Sequence, residues 1–152
     1  MKNTISFLLI CFVIFESFTN CKKDSTVTNV NELSGDKLKI KIGTKIYNAT
    51  LYSNKTTEAL KAMLPLNLAM KDLNSNEKKF DLPVSLPTNI EEIGTIHEGD
   101  ILLWGNNTIV LFYKKFNTTY RYTKIGKIDD ASGLAAALGS GDIKVSFELE
   151  KD

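Results

Sequence analysis

The sequence predicts a mainly β chain that closes into a barrel of about eight strands, with two short helices. Three observations point there. From Lys37 onward, short segments that alternate apolar and polar, or are continuously apolar, recur between Gly, Pro, Asn and Asp turns. Only the stretches 54–64 and 132–138 carry helix signals, one in each half. Closure would also remove the sheet edges that so many short strands otherwise expose to aggregation.

The 152-residue chain opens on Lys2 and an apolar run from Ile5 to Phe15. At about eleven residues the run is too short for a bilayer span, which needs roughly 20, and it fits a secretory signal. Residues 1–20 are read as a signal peptide, ending at Phe18-Thr19-Asn20. A cysteine just after a short apolar core resembles a bacterial lipoprotein signal, which makes Cys21 the expected lipidation site and membrane anchor. The alternatives are ordinary cleavage that leaves Cys21 a free thiol, or a retained membrane anchor. Each reading sends the chain out of the cytoplasm, and a cell-envelope lipoprotein, on the periplasmic side or in the outer membrane, is the expected location.

Residues 21–36 are rich in Asn, Ser, Thr and Asp and poor in large apolar groups, so they read as a flexible tether. Residues 37–152 are read as one barrel domain. The mature chain of about 130 residues can bury one core but not two. Cys11 would leave with the signal, so no internal disulfide is expected and the fold must rest on packing. The net charge of +1, with no basic stripe, excludes a nucleic-acid surface. A monomer is expected.

Within the domain, Leu38, Ile40 and Ile42 share one face, and Tyr47, Ala49 and Leu51 share one face of the next strand, after a turn at Gly43-Thr44. Ser53-Asn54 can cap a helix to Leu64, whose Leu60, Met63 and Leu64 form an apolar stripe; Pro65 stops it. Leu66 to Met70 alternates again, 72–76 reads as a loop, and Lys78 to Asp81 re-enters the sheet briefly. Pro83 and Pro87 impose an irregular extended segment. Ile101-Leu102-Leu103-Trp104 and Ile109-Val110-Leu111-Phe112 are continuously apolar, as strands covered on both faces tend to be. Asp130 is placed to cap a helix over 132–138, with Gly139 at its exit, and Ile143, Val145, Phe147 and Leu149 mark a half-buried final strand.

The order after Gly99 resembles the C-terminal half of cyclophilins, and more closely the small bacterial cyclophilin-like proteins. Leu111-Phe112 resembles their Phe-rich segment, Ile125-Gly126-Lys127-Ile128 their Phe-Gly-x-Val motif, and 134–138 the helix after it. The likeness covers roughly residues 37 to 150, and it is specific only beyond Gly99. It implies a cyclophilin-like barrel and, in principle, prolyl isomerisation. That activity is attributed in the family to an arginine in an Arg-(four residues)-Phe-Met-x-Gln-Gly block, which this chain lacks. Arg121 is its only arginine. Tyr122 stands where the family places a histidine, and Asn117 where it places a large apolar group. Losing the charged group removes what should be the largest catalytic contribution.

Other chemistry has little to build on. His97, the sole histidine, has no activated nucleophile beside it and reads as a loop-edge residue. Asp129-Asp130 project differently and lack further ligands, so no metal and no cofactor are expected. Gly139-Ser140-Gly141 precedes a strand and reads as a turn rather than a phosphate loop. The expected function is a binding module for a peptide or small ligand on a surface of Phe112, Tyr113, Tyr120, Arg121 and Tyr122, with Trp104 as a wall. The alternative is a weak prolyl isomerase with a divergent site.

Overall fold

The computed structural model describes residues 32–150, and the signal, Cys21 and most of the tether lie outside them. In chain order the elements are β1 (Leu33–Ile42), β2 (Lys45–Tyr52), α1 (Lys55–Lys61), β3 (Leu66–Leu73), β4 (Glu77–Asp81), β5 (Glu91–Glu92), β6 (Thr95–Ile96), β7 (Asp100–Trp104), β8 (Thr108–Phe112), β9 (Phe116–Asn117), β10 (Arg121–Ile128), α2 (Leu134–Leu138) and β11 (Ile143–Leu149). Eight strands hydrogen-bond in the antiparallel order β2-β1-β11-β3-β4-β8-β7-β10, and β10 returns to β2, so the barrel is closed. β5 extends β10, and β6 pairs with β9 as a separate two-stranded flap.

The seam depends on one glycine. Gly126 sits opposite Leu51, and a Cβ there would lie 2.8 Å from the Thr50 carbonyl oxygen. Only a residue without a side chain lets the two backbones approach this closely. This is the glycine of the Ile125-Gly126-Lys127-Ile128 segment.

Period-two alternation fills the interior with Leu38, Ile40, Ile42, Ala49, Leu51, Leu68, Met70, Ile101, Leu103, Ile109, Leu111, Ile125, Val145 and Phe147. α1 closes one end. Asn54 accepts from the Thr57 amide and Thr57 Oγ1 accepts from the Asn54 amide, a reciprocal cap, while Asn54 Nδ2 donates to the Lys124 carbonyl on β10. Leu60 is buried, and Met63 and Leu64 follow in tight turns that end the helix three residues earlier than its apolar stripe predicts. β2 runs into α1 and its antiparallel neighbour β10 leads toward α2, so the helices cap opposite ends.

Three local expectations are corrected. β1 starts at Leu33, with an irregularity between Leu33 and Lys37, so residues 33–36 belong to the sheet rather than to a tether. β3 continues through Asp72 and Leu73, leaving only Asn74, Ser75 and Asn76 as the turn; Asn74 and Ser75 both take φ 53°, which polar turn residues tolerate. Asp130 does not cap α2, whose N-cap is Gly133. It accepts from the Ser132 amide just before that cap, and hydrogen bonding from the Ser132 side chain and then its amide holds the Asp130 carboxyl below the ordinary range.

Candidate functional site

Strands β7 and β8 are covered on both faces, as their unbroken apolarity predicts. Ile101, Leu103, Ile109 and Leu111 face the interior. Leu102, Val110 and Phe112 face outward and, with Tyr122 and Ile96, form a second core outside the barrel wall. The flap of β6 and β9 lies over them, adding Phe116. Phe112 is wholly buried; its ring meets Tyr122 edge-on at 5.8 Å and Phe116 at 5.8 Å.

Beside this second core a cleft of about 680 Å³ opens along the outer face of β4 and β8. That volume falls within the range of small-ligand sites, roughly 300–1,000 Å³. Trp104, Phe116, Tyr120 and Tyr122 supply its aromatic walls, Val110 and Thr108 its floor, and Asn74 and Asn76 one end. Trp104 is 51% exposed and Tyr120 66% exposed, so two large rings stand at the rim with a face free.

The first half of the chain contributes Glu77 and Lys79, which project outward from β4 opposite Phe112 and Val110. Lys79 is paired with Asp81 at 3.3 Å. Glu77 is only 9% exposed, and among the described residues nothing hydrogen-bonds to its carboxylate. Burial pushes its carboxyl above the ordinary range; Lys79 opposes that and Asp72 reinforces it. Burial, then Glu77 and Tyr120, pushes the Tyr122 phenol up to about 12. A desolvated carboxylate among aromatic rings in a cleft is the kind of group that marks a functional site.

The residues singled out from sequence are distributed over four places. Trp104, Tyr120 and Tyr122 line the cleft. Phe112 supports it from beneath, in contact with Tyr122. Tyr113 and Arg121 lie elsewhere. Tyr113 turns to the barrel end, where its hydroxyl donates to Asp72 Oδ1 at 2.6 Å, and Arg121 donates to the Ile90 carbonyl at 3.3 Å. Glu77, Lys79, Asn76 and Phe116 escaped the sequence reading. Their available signal was the Glu77-Lys78-Lys79-Phe80 run, since a strand in a closed barrel must send alternate members of such a run to opposite faces.

The inward member is Lys78, with no exposed surface. Its ammonium donates to Asp72 Oδ1 at 2.6 Å and to the carbonyls of Gly139 and Gly141 at 2.8 and 2.7 Å, and it lies 5.2 Å from the Tyr113 ring centroid. The Gly139-Ser140-Gly141 turn is therefore a receptor for this cation. The Lys78 and Tyr113 bonds hold the Asp72 carboxyl below its ordinary range. His97 is exposed, with Nδ1 3.8 Å from Asp100. Asp129 is held by Thr50 and Lys37, and their bonds outweigh the burial that would raise its carboxyl.

The barrel agrees with what the chain is similar to. The family model described as Cyclophilin-like family matches residues 40–148. This chain belongs to the cyclophilin-like family. The match spans β1 to β11, including β4 and the cleft strands, so it covers the first half that carried no specific motif. Among solved structures, the solution structure of the hypothetical protein AF2241 from Archaeoglobus fulgidus is similar at 20% identity and a TM-score of 0.59, over 78% of this chain and 98% of that one. At that identity the likeness shows a shared fold. No curated protein matches.

Proposed function

We propose that this cyclophilin-like domain is a binding module for a peptide or small ligand, seated in the outer cleft rather than in the barrel. The observation that carries this reading is the convergence of Trp104, Phe116, Tyr120 and Tyr122 around an open volume of about 680 Å³. Rigid rings offer large contact area at low entropic cost, and two of them keep exposed faces on an otherwise well-covered wall. Among the described residues, apolar side chains and the Lys78 cluster occupy the interior.

Prolyl isomerisation is not favoured. The only guanidinium, on Arg121, bonds the Ile90 carbonyl and does not line the cleft. A protease-coupled assay on a proline peptide should show no acceleration over the uncatalysed exchange, which takes tens of seconds.

The module is proposed to act in the cell envelope, exported by residues 1–20 and held at a membrane through lipidated Cys21. The charged start, short apolar core and cysteine support this. No helix among the described residues is long and apolar enough to cross a membrane. Cys21→Ala should move the protein from the membrane fraction to the soluble one and abolish labelling by a fatty-acid analogue; unchanged partitioning and labelling would refute the anchor. For the cleft, titration with capped peptides and aromatic fragments should shift the Trp104 indole N–H resonance and the amides of 116–122. A library that shifts none of them would sink the binding reading.

A further inference from the structure

Glu77 and the aromatic rings are assembled in a way that selects for charge. From the Glu77 carboxylate, which lines the cleft without a hydrogen-bond partner among the described residues, in one lining with the rings of Trp104, Phe116, Tyr120 and Tyr122, we infer that the cleft recognises an organic cation, an ammonium or guanidinium group carried on an apolar body. This rests on the binding reading above and names its ligand class.

Three observations carry it. First, the formal charges lining the cleft are Glu77 and Lys79, and they are not each other's partners. The Lys79 ammonium reaches both carboxylate oxygens of Asp81, at 3.3 and 3.4 Å, so its charge is matched. The Glu77 carboxylate has no hydrogen-bond donor among the described residues, and a largely covered carboxylate gains more from an incoming donor than one in open water. Second, the neighbouring polar atoms also want donors. Asn76, in the same lining, has a buried Oδ1 with no hydrogen-bond partner, so a second acceptor lacking an N–H lies in the cleft wall. Third, the walls suit the same ligand. Aromatic faces attract cations through their quadrupole, and an anion placed there would meet both the ring faces and Glu77 unfavourably.

The test uses three probes of one shape: phenethylammonium, phenethyl alcohol and phenylacetate, each titrated by NMR against the Trp104 indole and cleft amides. The expected order is cation, then alcohol, then anion, with the cation about ten- to a hundredfold tighter than the alcohol. Glu77→Gln should erase that gap while leaving alcohol binding intact. Should Glu77→Gln fold poorly, acidifying the wild type provides the same test. The groups facing Glu77 are Lys79 on its own strand, Asp72 on β3, and Tyr120 and Tyr122 across the cleft. Asp72 is held below its ordinary range and Glu77 above it, so the cation preference should fade as Glu77 takes a proton before Asp72 does. A capped Ala-Lys-Ala peptide and its ε-acetylated form then separate a peptide side chain from a free amine as the source. Equal or tighter binding of phenylacetate, or a cation preference that survives both Glu77→Gln and acid, would overturn the inference while leaving the binding reading standing. Alcohol and cation both failing to bind would overturn both.

Discussion

Glu77 and Lys78 are neighbours on β4, yet the molecule treats their charges in opposite ways. Lys78 enters the barrel, where no water can reach it, and every ammonium proton has an acceptor within 2.8 Å. Glu77 turns outward into the cleft, is almost as deeply covered, and has no donor among the described residues. The interior charge is a fastener that ties β4, the β3 end and the turn before β11 into one end plug. The exterior charge is left open, which costs stability and creates a place for a ligand. Lys78 is sealed and fully bonded, whereas Glu77 keeps a little exposure and no donor. A fully paired buried charge restricts the fold to one arrangement, whereas an unpaired one stores an affinity.

The contrast can be broken from the inside first. Lys78→Met keeps the bulk but strands two carbonyls and the Asp72 carboxylate; because Asp72 keeps 20% exposure, water can take over part of the loss, and a cost of about 3 kcal/mol is expected. Urea unfolding should show a lower midpoint with an unchanged m-value, and a loss under about 1 kcal/mol would mean the plug contributes little. Gly126→Ala tests the seam that makes an inside at all, and forcing its Cβ against the Thr50 carbonyl should cost about 1–3 kcal/mol. Gly141→Ala, with open space around its Cα and no positive φ, is the near-neutral control.

The pH dependence follows from the signs of the shifts. Tyr113 is raised, by burial and then by its bond to Asp72, from 10.0 to about 12. The unfolded chain therefore loses that proton first, so the stability it contributes is full below pH 10 and is lost as pH rises to about 12. Tyr113→Phe should flatten that alkaline slope in melts taken across this window. Asp72 is depressed, so its contribution is present above the ordinary carboxylate range and disappears as acid reaches its lowered value. Glu77 has the reverse sign. Its folded pKa lies above the ordinary 4.5, so ionisation destabilises the fold as pH rises past that value. Glu77→Gln should accordingly gain stability relative to wild type between pH 4 and neutrality, and a difference that does not change with pH would contradict a desolvated carboxylate.

The smallest effect on stability belongs to the cleft rim. Trp104→Ala removes a half-exposed ring and should shift stability by no more than about 0.5 kcal/mol. Its effect should appear instead as weaker binding of both the cationic and the neutral aromatic probe. A large loss of stability with unchanged binding would move Trp104 from the cleft to the core.

Much of the fold was legible because its signals are local. Alternation in 38–42 and 143–149, and continuous apolarity in 101–103 and 109–112, report how many faces of each strand are covered without any knowledge of the partner. The cap at Asn54 was readable for the same reason, since the capping bonds themselves reach only as far as Thr57. The candidate site was half legible. Trp104, Tyr120 and Tyr122 stood out as aromatic groups near a turn, but Tyr113 and Arg121 lie next to them in sequence and on other faces in space. Glu77 was hidden in a run that reads as a solvated charged face. Asp130 was misread because a cap position depends on where the helix begins, and that is set by how Leu134 and Leu138 seat in the barrel end.

Sequence alone determined the mainly β barrel of about eight strands, the two short helices and the missing arginine block, because each is written in spacing of a few residues. Tertiary structure decided which face of β4 is inside. A period of two says that neighbours point to opposite sides, and only closure of the barrel tells which side has water. That one choice made Lys78 a plug and Glu77 a binding group.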